Sequence, residues 1–179
     1  MRLRVIFLLF VATVSGTVVG LTENARAGKP RAVSLPVAAP LPFDTPPNPC
    51  PVPRGLREEF RAAATDTDLP LAMIVAVAKV ESNLDTEARS SAGAHGLLQV
   101  LPSTAAEFEL DTYHVGENVL AGALYLRQLL DRFKSTELAF AAYNAGPTAV
   151  ERKGARPNDE TVAYVASVTT QWRKLVGCT

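Results

Sequence analysis

Three regimes of hydrophobic and polar patterning follow one another along the chain. From Val5 to Thr22 no residue is charged and most are apolar. From Gly28 to Pro53 periodicity vanishes, and nine of the thirteen prolines fall there. Beyond that the pattern has helical period. Leu56 to Ala64 reads as a short amphipathic helix. Thr67 or Asp68 is placed to cap the next one, with Pro70 in its first turn. From Leu69 to Val80 only Lys79 is not apolar, so Leu71–Val80 predicts a helix buried on all sides. Asn83 to Gly96 reads as loop, punctuated by Gly93 and Gly96. Pro102 starts a short helix to about Leu110. Val119, Ala123, Leu126, Leu130 and Phe133 give Glu117–Phe133 one buried face. Glu137 to about Ala145 is a short Ala-rich helix stopped by Gly146-Pro147, and Glu160–Leu175 is the last helix. No strand-like run exceeds four residues and no repeat is present. The expected fold is all-α, with helices packed around the apolar one.

The uncharged N-terminal run changes the compartment. Arg2 and Arg4 precede it and Ala25-Arg26-Ala27 follows, the layout of an export signal with a small-x-small cleavage site. A retained membrane anchor is the rival reading, although Thr13, Ser15, Gly16, Thr17 and Gly20 make a weak span. No Cys lies near the cleavage site, which argues against a lipoprotein. Either way the rest is exported, to a periplasm or to the cell wall. Residues 28–53 form a polyproline-type linker that packs no core. Retained on a membrane, it would extend up to about 80 Å. The folded domain is expected at 54–179.

Charge and cysteines narrow the classes further. The formal net charge is zero. The N-terminal 27 residues hold three Arg and one Glu, so the remainder is slightly acidic and offers no basic face to nucleic acid. Cys50 and Cys178 bracket the domain, and in an exported chain that points to a disulfide joining its ends. The two histidines, His95 and His114, share no carboxylate at ligand spacing, so no metal and no cofactor is expected.

The buried helix ends on Glu81. Apolar surroundings and the negative end of the helix dipole both disfavour a carboxylate there, so both raise its pKa. An acid still protonated near neutral pH suits general-acid cleavage of a glycoside. The plain alternative is a Glu that escapes to solvent where the helix ends.

Four further stretches decide between them. After Glu81-Ser82 come SSAGAHGLLQVLPSTA at Ser90–Ala105 and ENVLAGALYLRQLLDRF at Glu117–Phe133. AAYNAGPTAV follows at Ala141–Val150, and ETVAYV at Glu160–Val165. In this order and spacing, from about Leu69 to Val165, the sequence resembles the soluble lytic transglycosylase family. That resemblance implies a goose-lysozyme-like fold with the catalytic Glu at the end of the central helix. It also implies peptidoglycan glycan strands as substrate and Glu81 as the sole catalytic carboxylate. In that chemistry the Glu first protonates the oxygen between N-acetylmuramic acid and N-acetylglucosamine. It then deprotonates the muramoyl 6-hydroxyl, which closes a 1,6-anhydro ring. The nucleophile belongs to the substrate, so the second carboxylate of ordinary glycosidases is not needed. Asp85 and Glu87 are read as solvated.

The match also implies roles near the sugar. Ser90 is expected to contact the glycan beside the reacting bond, and Gln99, in the glycine loop, to hydrogen-bond it. Tyr143 is expected to point its hydroxyl at Glu81, and Asn144 to bond the loop backbone or the sugar. Glu160 and Tyr164 are expected along the groove for glycan and stem peptide. The plain alternatives are a turn serine, a loop-ordering glutamine, core packing for Tyr143 and Asn144, and a first-turn charge for Glu160. His95 would line the cleft. Leu98 replaces the family's usual Met at nearly equal volume, and Thr148 stands where Gly is frequent. The competing functions are a lysozyme-type muramidase hydrolysing the same bond and a non-catalytic peptidoglycan-binding module. Envelope-spanning partners and a membrane tether are left open by the sequence.

Overall fold

The computed structural model describes residues 48–179. The export signal or anchor at 1–27 and residues 28–47 of the linker lie outside the described residues. Among the described residues there are no strands, two isolated β-bridges, and seven α-helices. A 3₁₀ turn at Arg54–Leu56 leads into α1 (Arg57–Thr67). Then come α2 (Leu71–Glu81), α3 (Pro102–Ala106), α4 (Val115–Phe133), α5 (Thr136–Ala145), α6 (Pro147–Lys153) and α7 (Asp159–Leu175). No helix among the described residues is long and apolar enough to cross a membrane.

The apolar run at Leu71–Val80 is the helix α2, and every residue from Ala72 to Ala78 is buried. It packs on α7 and α1, while α4 packs on α1 and α5, and α5 on α7. Phe60, Ile74, Leu97, Leu126, Phe140 and Val168 fill the space between them. Fully burying a Val, Ile or Met contributes roughly 1.5–3 kcal/mol. Met73, Ile74, Val75 and Val77 together therefore secure α2 by roughly 6–12 kcal/mol before chain entropy is counted.

Helix ends differ from expectation at three places. Neither Thr67 nor Asp68 caps α2: α1 continues through Thr67, whose hydroxyl donates to Ala63 O at 2.6 Å. Asp68 then turns left-handed at φ 51° as the C-cap of α1. Pro70 takes the cap position of α2, its carbonyl accepting from Met73 N at 2.8 Å. The helix begun at Pro102 stops at Ala106 rather than near Leu110. The third difference is α6. Gly146-Pro147 does end α5, but Gly146 bends at φ 82° and Pro147 opens a new helix at its first position. Ser135 and Asn158 cap α5 and α7 through their side chains.

Cys50 and Cys178 form the expected disulfide across a sequence separation of 128. Backbone bonds reinforce it: Cys50 N donates to Thr179 O at 3.2 Å, and Thr179 N donates to Asn48 O at 3.0 Å. Closing so long a loop stabilises by roughly 4–5 kcal/mol in the chain-entropy model. Replacing both cysteines by Ala should therefore lower unfolding free energy by about that amount in a urea titration, with the helical spectrum retained at low denaturant.

Candidate active site

Glu81 is the last residue of α2, and the chain turns sharply after it. Asn83 and Leu84 are both left-handed, at φ 52° and 65°. Burial pushes the Glu81 carboxyl from 4.5 up to about 7, the Tyr164 hydrogen bond pulling the other way. The Tyr164 hydroxyl donates to Glu81 Oε1 at 2.6 Å. Burial first, then the Glu81 charge, holds the Tyr164 phenol well above its ordinary value, so it stays a donor.

The hydroxyl at Glu81 therefore comes from Tyr164 on α7, not from Tyr143. Tyr143 donates instead to Leu98 O at 2.9 Å. Its ring lies 5.3 Å from that of Tyr125 on α4. The reason is the close approach of α4. A Cβ on Gly122 would meet Leu98 Cβ at 2.5 Å and the Tyr143 hydroxyl at 2.9 Å. Tyr143 thus serves the loop beside the acid, near enough for the Glu81 charge to raise its own pKa after burial has done so.

That loop is heavily tied. His95 and Val100 exchange backbone bonds at 3.0 and 3.1 Å, and Gly96 N donates to Ala88 O at 2.9 Å. Ser90 Oγ accepts from Ala94 N at 3.0 Å, which is the turn role. Its hydroxyl proton is not used by that bond. Gln99 sits left-handed at φ 46°. Its amide donates to Ala88 O at 3.0 Å and Gly96 O at 2.9 Å, leaving Oε1 as its acceptor. Asn144 Oδ1 accepts from Thr161 Oγ1 at 2.8 Å, joining α5 to the start of α7. Glu160 is exposed in the first turn of α7, one turn before Tyr164 on the same face. His95 is buried inside the loop rather than along an open wall, with Nδ1 3.3 Å from Thr112 O.

Gln99, Tyr125, Tyr143 and Asn144 line a cavity of about 310 Å³ with Leu101 and Gly146. A larger hollow of about 720 Å³ runs along the outer face of α7, and none of the candidate residues lines it. Its size does not make it the site, because neither Glu81 nor Tyr164, which hydrogen-bonds it, lies along its wall. Among the described residues no group of three His, Cys, Asp or Glu is arranged to hold a metal.

Two residues that hold the site were not singled out from sequence. Asn118 is 1% exposed on α4. Its Oδ1 accepts from Leu98 N at 3.1 Å, and its amide donates to His95 O at 2.8 Å and Thr112 O at 3.3 Å. Gly96 lies so close that a Cβ there would meet Asn118 Nδ2 at 2.6 Å. Ser82, next to the acid, has Oγ 2.8 Å from Leu97 O. A signal existed for the first: Asn118 and Gly122 share the stripe of Leu126 and Leu129, where an apolar residue is the norm.

Comparison with known proteins identifies one family. Residues 58–164 match the transglycosylase SLT domain. A putative soluble lytic murein transglycosylase of Haemophilus influenzae is 31% identical over 130 residues, 65% of this chain and 22% of that protein. The transglycosylase of Enterobacteria phage PRD1 is 32% identical over 90 residues, 50% of this chain and 34% of that one. An inactive mutant of the lytic transglycosylase Slt from Pseudomonas aeruginosa superposes with a TM-score of 0.61. It is 30% identical and covers 71% of this chain and 25% of that one. The chain thus spans about a third or less of the length of these relatives. The all-α, lysozyme-like architecture is common to them.

Asn118→Ala would leave Leu98 N without its buried acceptor and take one donor each from His95 O and Thr112 O, a cost of about 1–3 kcal/mol. Gly122→Ala would push Leu98 and Tyr143 off α4. Thermal melts should show both losses, and amide exchange should rise first at Gly96–Val100.

Proposed function

The chain belongs to the transglycosylase SLT domain family, and on that premise we propose that it is a peptidoglycan lytic transglycosylase. It cleaves the bond between N-acetylmuramic acid and N-acetylglucosamine and leaves 1,6-anhydromuramoyl ends. The observation that carries the proposal is the half-buried Glu81, raised to about 7 and hydrogen-bonded by Tyr164. Residues 54–179 are the catalytic domain. The Cys50–Cys178 disulfide suits the oxidising compartment that an export signal at 1–27 would reach.

Tyr164 occupies Oε1, so the proton of Glu81 resides on Oε2, the oxygen that faces the glycosidic link. Near neutral pH about half of the enzyme carries it. Protonating the leaving oxygen makes Glu81 an anion, and the Tyr164 bond strengthens as the charge forms. The carboxylate then takes the proton of the muramoyl 6-hydroxyl as that oxygen attacks the anomeric carbon. The acid is regenerated and no water enters. The cluster hydrogen-bonded to Glu81 contains no second carboxylate among the described residues. Asp85 and Glu160 are exposed, and Asp85 Oδ1 accepts from Glu87 N at 2.9 Å. Ser90, Gln99, Tyr143 and Asn144 shape the subsites beside the acid, with the Ser90 hydroxyl proton and Gln99 Oε1 turned to the sugar. Glu160 and Tyr164 border the groove.

Mass spectrometry of digested sacculi tests the chemistry. Anhydro products, lighter than hydrolytic ones by one water, are expected from the full chain, and Glu81→Gln should lower their release by about 100-fold or more. Reducing ends on every product would instead establish a lysozyme-type hydrolase, and binding to sacculi without turnover a recognition module.

Two pH experiments test the state of Glu81. Activity should fall as pH rises through about 7. Tyr164→Phe removes the bond that lowers this pKa, so the alkaline limb should move to higher pH. In stability the sign is the reverse of a salt-bridged acid. The folded state holds the proton more tightly than the unfolded chain. The wild type therefore loses up to about 3 kcal/mol as pH rises from about 4.5 to about 7. Glu81→Gln escapes that loss, so it should melt higher than wild type at pH 8 and show little difference at pH 4.

A further inference from the structure

The loop that carries Ser90 and Gln99 also carries Arg89, whose surroundings the mechanism above does not use. The Arg89 guanidinium carbon lies 5.7 Å from the centroid of the Tyr113 ring. Tyr113 is 60% exposed. Its ring rests on buried His95, with centroids 4.6 Å apart and planes tilted by 48°. Its backbone N–H donates to Asp111 Oδ1 at 2.9 Å. A stack of His95, Tyr113 and Arg89 therefore runs outward from the loop core. Among the described residues no carboxylate pairs with Arg89, and Glu87, two residues away, forms no ion pair with it. The nearby acids of the α3–α4 segment are engaged elsewhere. Asp111 lies 3.4 Å from His114, and Glu117 Oε2 accepts from Asp111 N at 2.7 Å.

An aromatic face orients a guanidinium without consuming its N–H donors. The planar fork is left to solvent, in the form that takes a carboxylate through two parallel hydrogen bonds. A sugar is the poorer fit, because the guanidinium already covers the ring face on which a sugar would stack. A polyanion is also a poor fit, since Asp85 and Glu87 precede Arg89 in sequence and Asp111 and Glu117 flank Tyr113. One short-range carboxylate meets neither objection. The stack is joined to the proposed glycan site: Ala88 O, one residue before Arg89, accepts from the Gln99 amide at 3.0 Å.

We propose that Arg89, held on Tyr113, binds a free carboxylate of the peptide stem carried by the glycan, so that stem-bearing strands are preferred over bare ones. This rests on the transglycosylase reading and names a part of its substrate. The full chain carrying Glu81→Gln keeps strands intact, so affinity can be read by calorimetry without cleavage. The turnover of the wild type decides the parent reading separately. Stem-bearing strands should bind more tightly than strands stripped of stems by an amidase. Adding Arg89→Ala should lower that preference about tenfold, the loss of one charge-assisted pair. Arg89→Lys, which keeps the charge and loses the fork, should lower it by about threefold. Amidating the stem carboxylates should abolish the preference. A preference unchanged in Arg89→Ala, or retained on amidated stems, would overturn the proposal.

Discussion

A carboxyl group removed from water at the end of an apolar helix is the constraint on which the rest depends. Raising its pKa from 4.5 to about 7 costs about 3 kcal/mol whenever the group is ionised. Burial of Met73, Ile74, Val75 and Val77 offsets this by a factor of two or more. α2 can therefore hold an acid where an isolated helix end would release it to solvent. The sequence of α2 has two consequences with one cause. Its apolar faces fix the helix in the core, and the same surroundings raise the pKa of Glu81.

The loop at Ala88–Val100 is the second half of the arrangement, and it has no regular secondary structure to hold it. Side chains from three directions do so instead. Ser82 reaches Leu97 O, Asn118 reaches Leu98 N and His95 O, and Tyr143 reaches Leu98 O from α5. Each anchor ends on a backbone group, and the loop's own bonds use neither the Ser90 hydroxyl proton nor Gln99 Oε1. The left-handed Gln99 is tolerated because its amide bonds two carbonyls of the same loop.

The sequence made α2, its terminal acid and the disulfide legible, because each announces itself by composition or by position. The buried stripe of α4 was legible from its period. Contacts between distant segments were not. The exchange of Tyr143 for Tyr164 beside Glu81 depends on how closely α4 approaches Leu98 and α5, and Gly122 sets that approach. Resemblance pointed the Tyr143 hydroxyl at the acid and put Tyr164 along the groove, whereas it is Tyr164 that donates to Glu81. Asn118 looked like one polar residue among apolar ones, and only the fold shows the three backbone groups it serves. The helix α6 was missed because Gly-Pro terminates one helix and starts another with the same two residues. Ser90 and Gln99 were expected at the sugar. Their observed bonds lie within the loop, a local use that spacing alone does not separate from ligand binding.

The paired ends of the domain have a consequence for its architecture. Asn48 and Thr179 are hydrogen-bonded neighbours, and a covalent link sits directly behind them. Topologically the domain is close to a ring with one seam, and Glu81 is not part of that seam. Such a ring can be grafted into a longer polypeptide at a single point of attachment without rerouting any helix that positions the acid. The matched region in the Haemophilus influenzae relative makes up 22% of its chain. A fold whose ends meet is a geometry suited to being carried within chains of very different length.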